Sequence, residues 1–164
     1  MDSCFVTVGT TKFDLLIEQF SSDEIHEHLR RLGVKRLILQ IGHGREPQIL
    51  TADYMLPVEF FRFCPSIEKY MLDALLIVSH AGAGSIMEAL SLRKPLLVVT
   101  NDDLMGAHQS ELADALQERG YLKSTAWKGI ANALQFFDCD GLQLYPDKDL
   151  NAFPRLCETT MGFC

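Results

Sequence analysis

"ALLIVSHAGAGSIMEAL", residues 74–90, passes from an unbroken apolar run, through a histidine and two glycines, into a stretch with helical spacing. The run "ALLIVS", Ala74 to Ser79, has no polar alternation. It predicts a strand buried on both faces, as in a parallel sheet. Gly82 and Gly84 let the chain turn tightly and approach a ligand with no Cβ in the way. A helix from Ser85 to Leu92 then offers free N–H groups and the positive end of its dipole. Together these features make an anion site suited to a diphosphate. Ser85 is placed to cap the helix, to bond a phosphate oxygen, or both. Glu88, three residues on, either completes a capping box with Ser85 or turns toward the ligand, where a carboxylate can accept two vicinal hydroxyls of a ribose.

The same alternation extends in both directions. "CFVTV", Cys4 to Val8, "RLILQI", Arg36 to Ile41, "VEFFRF", Val58 to Phe63, and "PLLVVT", Pro95 to Thr100, read as further strands, with a short one near Tyr121. Helical periods fall at Phe13 to Phe20, Ser22 to Leu32, Pro65 to about Asp73, His108 to Arg119 and Ile130 to Phe137. Ser22 is the expected N-cap and Gly33 the expected stop of the second helix. The strand-then-helix order predicts an α/β domain with a Rossmann-like, doubly wound parallel sheet over residues 1–137. Two regions are irregular, 42–56 and 138–149. A last helix-like stretch, 150–161, stands outside the alternation, so residues 138–164 are expected to form a linker and a terminal helix.

Composition narrows the function. The 164 residues suffice for one domain with a substantial core. A formal charge of −7 gives neither nucleic acid nor an anionic membrane a favourable general surface, and no nucleic-acid partner is expected. Arg30, Arg31, Lys35 and Arg36 form a local basic cluster that reads as solvated charge. Five cysteines, an odd number with no zinc-like or C-x-x-C spacing, suggest reduced thiols and a cytosolic setting. Residues 1–10 lack a basic stretch followed by an apolar one, so no signal peptide is expected. No run approaches the ~20 apolar residues of a membrane span.

In open parallel sheets, ligands bind beyond the carboxyl ends of the strands. Four glycine-bearing or small polar loops leave such ends: "GTTKFD" (Gly9 to Asp14), "GHG" (Gly42 to Gly44), "HAGAGS" (His80 to Ser85) and "NDDLMGAHQ" (Asn101 to Gln109). Met87 stands where a dinucleotide fingerprint needs its third glycine, and no acidic residue follows at the usual distance, which disfavours a nicotinamide or flavin enzyme. No G-K-[ST] follows either, so this is not a P-loop. His108 and Gln109, opening a helix, suit sugar hydroxyls or simply cap that helix. Asp102 and Asp103 lack a third nearby acid, and no metal is expected there. His43 and His80 are candidate bases or hydrogen-bonding groups.

"FVTVGTTKFDLLI", "RLILQIG", "SHAGAGSIMEAL", "KPLLVVTNDDLMGAHQSELADAL" and "GYL" carry a specific resemblance over essentially the whole chain. They resemble the family of cytosolic catalytic subunits of the dolichyl-diphosphate N-acetylglucosaminyltransferase, whose fold is that of the glycosyltransferase family 28 C-terminal domain. More distantly, the chain is similar to the donor half of the bacterial lipid II N-acetylglucosaminyltransferase, a two-domain GT-B enzyme. The resemblance implies transfer of N-acetylglucosamine, with inversion, from UDP-N-acetylglucosamine to N-acetylglucosaminyl-diphosphodolichol. It implies that Gly82, Ala83, Gly84 and Ser85 form the diphosphate-side loop, with His80 among the donor-binding residues, and that Glu88 holds the ribose. It places His108 and Gln109 against the donor sugar, the backbone of Phe63 and Cys64 against uracil, and Gly9, Thr10 and Thr11 at the cleft. Leu75 departs from the family pattern, which has an aspartate there. The loop 42–57 varies in length among relatives, and no role is carried onto His43.

The length leaves room for a donor domain alone. The resemblance implies that a membrane-anchored partner supplies the acceptor-binding half, brings the dolichyl-diphosphate-linked acceptor, and recruits this subunit to the cytosolic face of the endoplasmic reticulum. The apolar tail 150–161 is then expected to dock on that partner or to fold back on its own domain. No redox cofactor or metal is expected, because a helix N-terminus can neutralise departing UDP. The general base is expected on the partner. Two rivals remain: an epimerase-like fragment on the same scaffold, and a subunit that binds the nucleotide sugar only to regulate its partner.

Overall fold

The computed structural model describes residues 2–49, 55–101 and 107–146. Six strands, β1 (Ser3–Thr7), β2 (Arg36–Gln40), β3 (Val58–Phe61), β4 (Ala74–His80), β5 (Leu96–Thr100) and β6 (Lys123–Ala126), form one sheet in the order β3-β2-β1-β4-β5-β6. Every pairing is parallel. The order reverses between β1 and β4, and this is the switch point at which doubly wound sheets open a crevice. The predicted Rossmann-like sheet is therefore the observed one.

Side-chain alternation along the strands divides the core in two. Cys4, Val6 and Val8 face α1 (Asp14–Gln19), α2 (Asp23–Arg31) and α6 (Ile130–Gln135). Phe5 faces the other side, where α3 (Glu68–Asp73), α4 (Ala83–Ser91) and α5 (Ala107–Glu118) contribute Met71, Ile86 and Ala113. Both faces are covered, which is why the strands read as continuous apolar runs rather than alternating ones. Burial pushes the Cys4 thiol well above its ordinary range, so it packs as a protonated apolar group.

Local signals explain several boundaries. Ser22 caps α2, its Oγ accepting from the Ile25 amide at 3.3 Å, and Gly33 follows the helix with a φ of 90°. In α3 the observed start is Glu68, three residues later than the expected start at Pro65. Lys94 reaches across to donate to the carbonyls of Leu72 (2.5 Å) and Ala74 (3.0 Å), placing a cation at the carboxyl end of α3. Beyond α6, the Gln143 amide donates to Gly120 O at 2.9 Å, and Tyr145 meets Tyr121 edge to face. The expected terminal helix at 150–161 lies outside the described residues. Among the described residues no helix is long and apolar enough to cross a membrane.

His26 is buried between two backbone partners. Its Nε2 lies 2.8 Å from Phe20 O, and its Nδ1 accepts from the Leu56 amide at 3.0 Å. The tautomer protonated on Nε2 satisfies both bonds, and the ring ties the end of α1 to the approach of β3.

Candidate functional site

All strands being parallel, the loops after β1, β2, β3, β4 and β5 leave the same edge of the sheet. The loop after β1 is fixed from within. The Gly9 amide donates to Thr7 Oγ1 at 2.9 Å, Thr7 Oγ1 donates to Gln40 Oε1 at 2.6 Å, and Thr11 Oγ1 donates to Val8 O at 2.8 Å. Gly9 has a φ of 61°, which glycine adopts without strain. Thr10, Thr11 and Lys12 are left exposed above it.

His80 ends β4 at the switch point, directly beside this loop. A Cβ on Gly9 would stand 3.1 Å from His80 Cε1, and one on Gly82 would stand 2.8 Å from the same carbon and closer still to Nε2. The imidazole thus fills the space that glycine leaves on both sides. His80 Nδ1 is buried and makes no hydrogen bond of full geometry. Burial lowers the His80 pKa below its ordinary value, and the Thr7 backbone opposes this only in part. The ring is accordingly a neutral group in the crevice at neutral pH.

The helix α4 begins earlier than Ser85. Gly82, with φ −77° and ψ 124°, is the N-cap, and Ala83, Gly84 and Ser85 form the first turn. No side chain caps this helix and its first turn holds no acid. This corrects the capping-box reading: Ser85 lies inside the helix, so Ser85 and Glu88 cannot be the two ends of a box. The amides of the first turn are left for another acceptor. A Cβ on Gly84 would meet nothing within 4 Å, so this glycine borders open space, whereas Gly82 borders His80. Glu88 is exposed farther along the same helix.

Beside these loops is a recess of about 130 Å³ lined by Thr11, Lys12, Phe13, His80, Ala81, Val99 and Asn101. A larger hollow of about 400 Å³ lies between α1 and residues 45–48, but its charges are already self-paired. There Arg45 Nη2 meets Glu18 Oε1 at 2.7 Å and Arg45 Nε meets Asp14 Oδ2 at 3.3 Å. The smaller recess, where glycine loops from β1 and β4 converge, is the better candidate.

The structure brings Gly9, Thr11, His80 and Gly82 together at the switch point, with Ala83, Gly84, Ser85 and Glu88 continuing along α4. Phe63 and Cys64 lie past the end of β3, which stops at Phe61, so they sit in the following loop rather than in the strand. Cys64 Sγ donates to Ser66 O at 3.2 Å, which holds that loop in a turn. His108 and Gln109 begin α5 after β5; only their backbone is described. Asp102 and Asp103 lie outside the described residues. Among the described residues no group of three or more His, Cys, Asp or Glu could hold a metal ion.

Three features at this edge were not anticipated. His43 packs edge to face on Phe63, with ring centroids 4.9 Å apart. Arg62 Nη1 donates to Gly42 O at 3.3 Å and to Gly44 O at 2.7 Å. Gly42 has a φ of 53°, and a Cβ there would collide with Thr11 O. The only sequence signal for this cluster is the alternation of aromatic and basic residues in "FFRF" opposite a G-x-G loop.

A family model described as "Glycosyltransferase family 28 C-terminal domain" matches residues 3–158. The chain is 43% identical over 122 residues to the human UDP-N-acetylglucosamine transferase subunit ALG13, an alignment covering 74% of this chain and 11% of that protein. The Mus musculus protein of the same name is covered to 10%, so the chain spans about a tenth of the length of these two relatives. The Saccharomyces cerevisiae subunit of that name is 32% identical over 191 residues, covering 96% of this chain and 95% of the relative. Among solved structures, a solution NMR structure of ALG13 superposes with a TM-score of 0.70 at 30% identity, covering 94% of each chain. MurG of Acinetobacter baumannii superposes with a TM-score of 0.62 at 20% identity, covering 81% of this chain and 39% of that one, which is a likeness of fold.

Proposed function

The chain belongs to the glycosyltransferase family 28 C-terminal domain family, and from that membership we propose that it is the catalytic, donor-binding subunit of an inverting N-acetylglucosaminyltransferase. The donor is UDP-N-acetylglucosamine and the acceptor N-acetylglucosaminyl-diphosphodolichol, so the reaction is the second step of lipid-linked oligosaccharide synthesis. Its acceptor half belongs to a membrane-anchored partner that holds this subunit at the cytosolic face of the endoplasmic reticulum. Residues 1–137 form the donor domain, and residues 138–164 are the segment that docks on the partner.

The observation that carries this reading is the uncapped start of α4. Its first-turn amides and the open side of Gly84 lie next to a neutral histidine at the switch point. In the reaction the acceptor hydroxyl attacks C1 of the donor sugar from the face opposite the diphosphate. The new C1–O bond forms as the bond to the β-phosphate oxygen breaks, and UDP leaves with the electron pair. The amides of Ala83, Gly84 and Ser85 receive that developing charge, and fixed donors of this kind are already oriented when the charge appears. His80, whose burial lowers its pKa, supplies a neutral hydrogen-bonding group beside the diphosphate. Glu88 accepts the two ribose hydroxyls, the backbone of Phe63 and Cys64 faces uracil, and Gly9, Thr10 and Thr11 close the cleft. His108 and Gln109 face the donor sugar. The proton of the acceptor hydroxyl passes to a base on the partner.

The test is co-expression with the membrane-anchored partner, followed by transfer from UDP-N-acetylglucosamine to a short-chain diphospholipid acceptor. A disaccharide product with inverted anomeric configuration is expected. A pair that binds UDP-N-acetylglucosamine and transfers nothing would leave this chain a regulatory nucleotide-sugar-binding subunit.

A further inference from the structure

Lys12 is exposed in the loop after β1 and lines the recess with His80 and Asn101. The backbone on either side of it is held. The Thr11 amide and Oγ1 donate to Val8 O at 3.3 and 2.8 Å, and Thr11 O accepts from the His43 amide at 3.0 Å. Phe13, the next residue, is buried. The lysine is thus a charge on a flexible stem above a fixed base. Other cations at this edge are already engaged. Arg45 pairs with Asp14 and Glu18, Arg62 bonds the carbonyls of Gly42 and Gly44, and Lys128 lies over the Trp127 ring, 5.1 Å from its centroid. Among the described residues no carboxylate forms an ion pair with Lys12.

We propose that Lys12 binds the diphosphate of the lipid-linked acceptor, so that the donor subunit itself takes part in acceptor recognition. This rests on the donor reading given above and adds to it a ligand that is not the donor. In an inverting transfer the acceptor hydroxyl enters from the face of the sugar opposite the donor diphosphate. That diphosphate is assigned to the first turn of α4, which follows Gly82. The loop after β1 stands across the His80 ring from this turn, the ring filling the space beside Gly82 and the space beside Gly9. An acceptor that arrives opposite α4 therefore arrives over Lys12. It brings a second diphosphate to a chain whose formal charge is −7, and a local cation offsets the repulsion between them. The α4 amides are taken by the donor. A lysine suits the task, because a point charge on a flexible stem follows a phosphate whose position another subunit sets, with no rigid fork to align.

The experiment uses the co-expressed pair with a short-chain diphospholipid acceptor, and titrates each variant with UDP as the check on folding and on donor binding. Lys12→Ala is expected to raise the acceptor KM about tenfold, the worth of one charged hydrogen bond, and to leave the donor KM and the UDP affinity unchanged. Lys12→Arg, which keeps the charge, is expected to recover most of the loss. The gap between wild type and Lys12→Ala should narrow as salt is raised, because screening weakens an exposed pair. An acceptor KM unmoved by Lys12→Ala would overturn the proposal and leave the donor site standing. A loss of UDP affinity in Lys12→Ala would assign the cation to the donor's own diphosphate and overturn the proposal equally. A wild-type chain that binds no UDP would overturn the donor reading and this proposal with it.

Discussion

The imidazole of His80 occupies the place that a side chain on Gly82 would need, with Cε1 only 2.8 Å from where that Cβ would be. The glycine therefore serves the histidine first. Through the ring it joins the loop after β4 to the loop after β1, where Gly9 makes the matching allowance.

Gly82→Ala tests this coupling. The φ of Gly82 is −77°, so alanine brings no backbone strain and only the steric conflict remains. Overpacking of this kind costs about 1–3 kcal/mol. We expect a folded protein of reduced melting temperature that has lost most of its UDP affinity. Calorimetry of the variant with and without UDP measures both; undiminished affinity would show that the ring position does not matter to the ligand.

Gly84→Ala should behave in the opposite way in the free protein. Its Cβ would enter open space within a helix, where alanine is favoured over glycine by about 0.5–1 kcal/mol. A higher melting temperature is expected without ligand. On the proposed reading donor affinity should fall, because the added methyl would stand in the diphosphate's path. A variant with raised stability and unchanged affinity would place the diphosphate elsewhere.

Glu88 is exposed, so its removal should leave folding untouched. Loss of a hydrogen bond to a charged group costs about 1.5–3 kcal/mol. Glu88→Ala should weaken UDP by that amount and leave pyrophosphate binding as it was, since only UDP carries a ribose. Isothermal titration with the two ligands decides it, and equal losses for both would remove the ribose assignment.

Stability should depend on the charge of His80. Burial depresses its pKa in the folded state, so at neutral pH both folded and unfolded chains carry it uncharged. As pH falls below the ordinary histidine value of about 6.5, the unfolded chain takes up a proton that the folded chain resists. The contribution is thus complete above that value and is lost as pH falls toward the lower folded-state pKa. Urea denaturation of wild type and His80→Asn between pH 7.5 and pH 5 should show a smaller decline in the variant. Parallel declines would mean that His80 titrates as it does in an unfolded chain.

Ser22→Ala offers a contrast away from the site. Its Oγ accepts from the Ile25 amide at the start of α2, and losing such a cap costs about 1 kcal/mol. Stability should drop by that amount in urea denaturation, with UDP affinity unaltered.

Much of the fold was legible because parallel strands covered on both faces leave a plain trace. "CFVTV", "RLILQI" and "ALLIVS" each match an observed strand to within one residue at either end. The cap at Ser22 and the stop at Gly33 were equally local signals. The start of α4 is not legible locally, because no hydroxyl residue opens it. Instead, Gly82 enters from an extended conformation and needs no side chain to do so. The role of His80 was beyond local reasoning, because it depends on β1 and β4 being neighbours although about 70 residues separate them. The Arg62 clamp and the His43–Phe63 pair have the same origin: their partners meet only through the pairing of β2 with β3.

His26 and Asp14 pin the backbone at two points, at Leu56 and at Arg45. Asp14 Oδ1 accepts from the Arg45 amide at 2.8 Å, and His26 Nδ1 accepts from the Leu56 amide at 3.0 Å. Doubling a loop held at both ends costs only about 0.6 kcal/mol in closure entropy. Sequence added between these two pinned points, as a grafted epitope or fluorophore, would therefore enter a segment whose ends are held independently of the switch point.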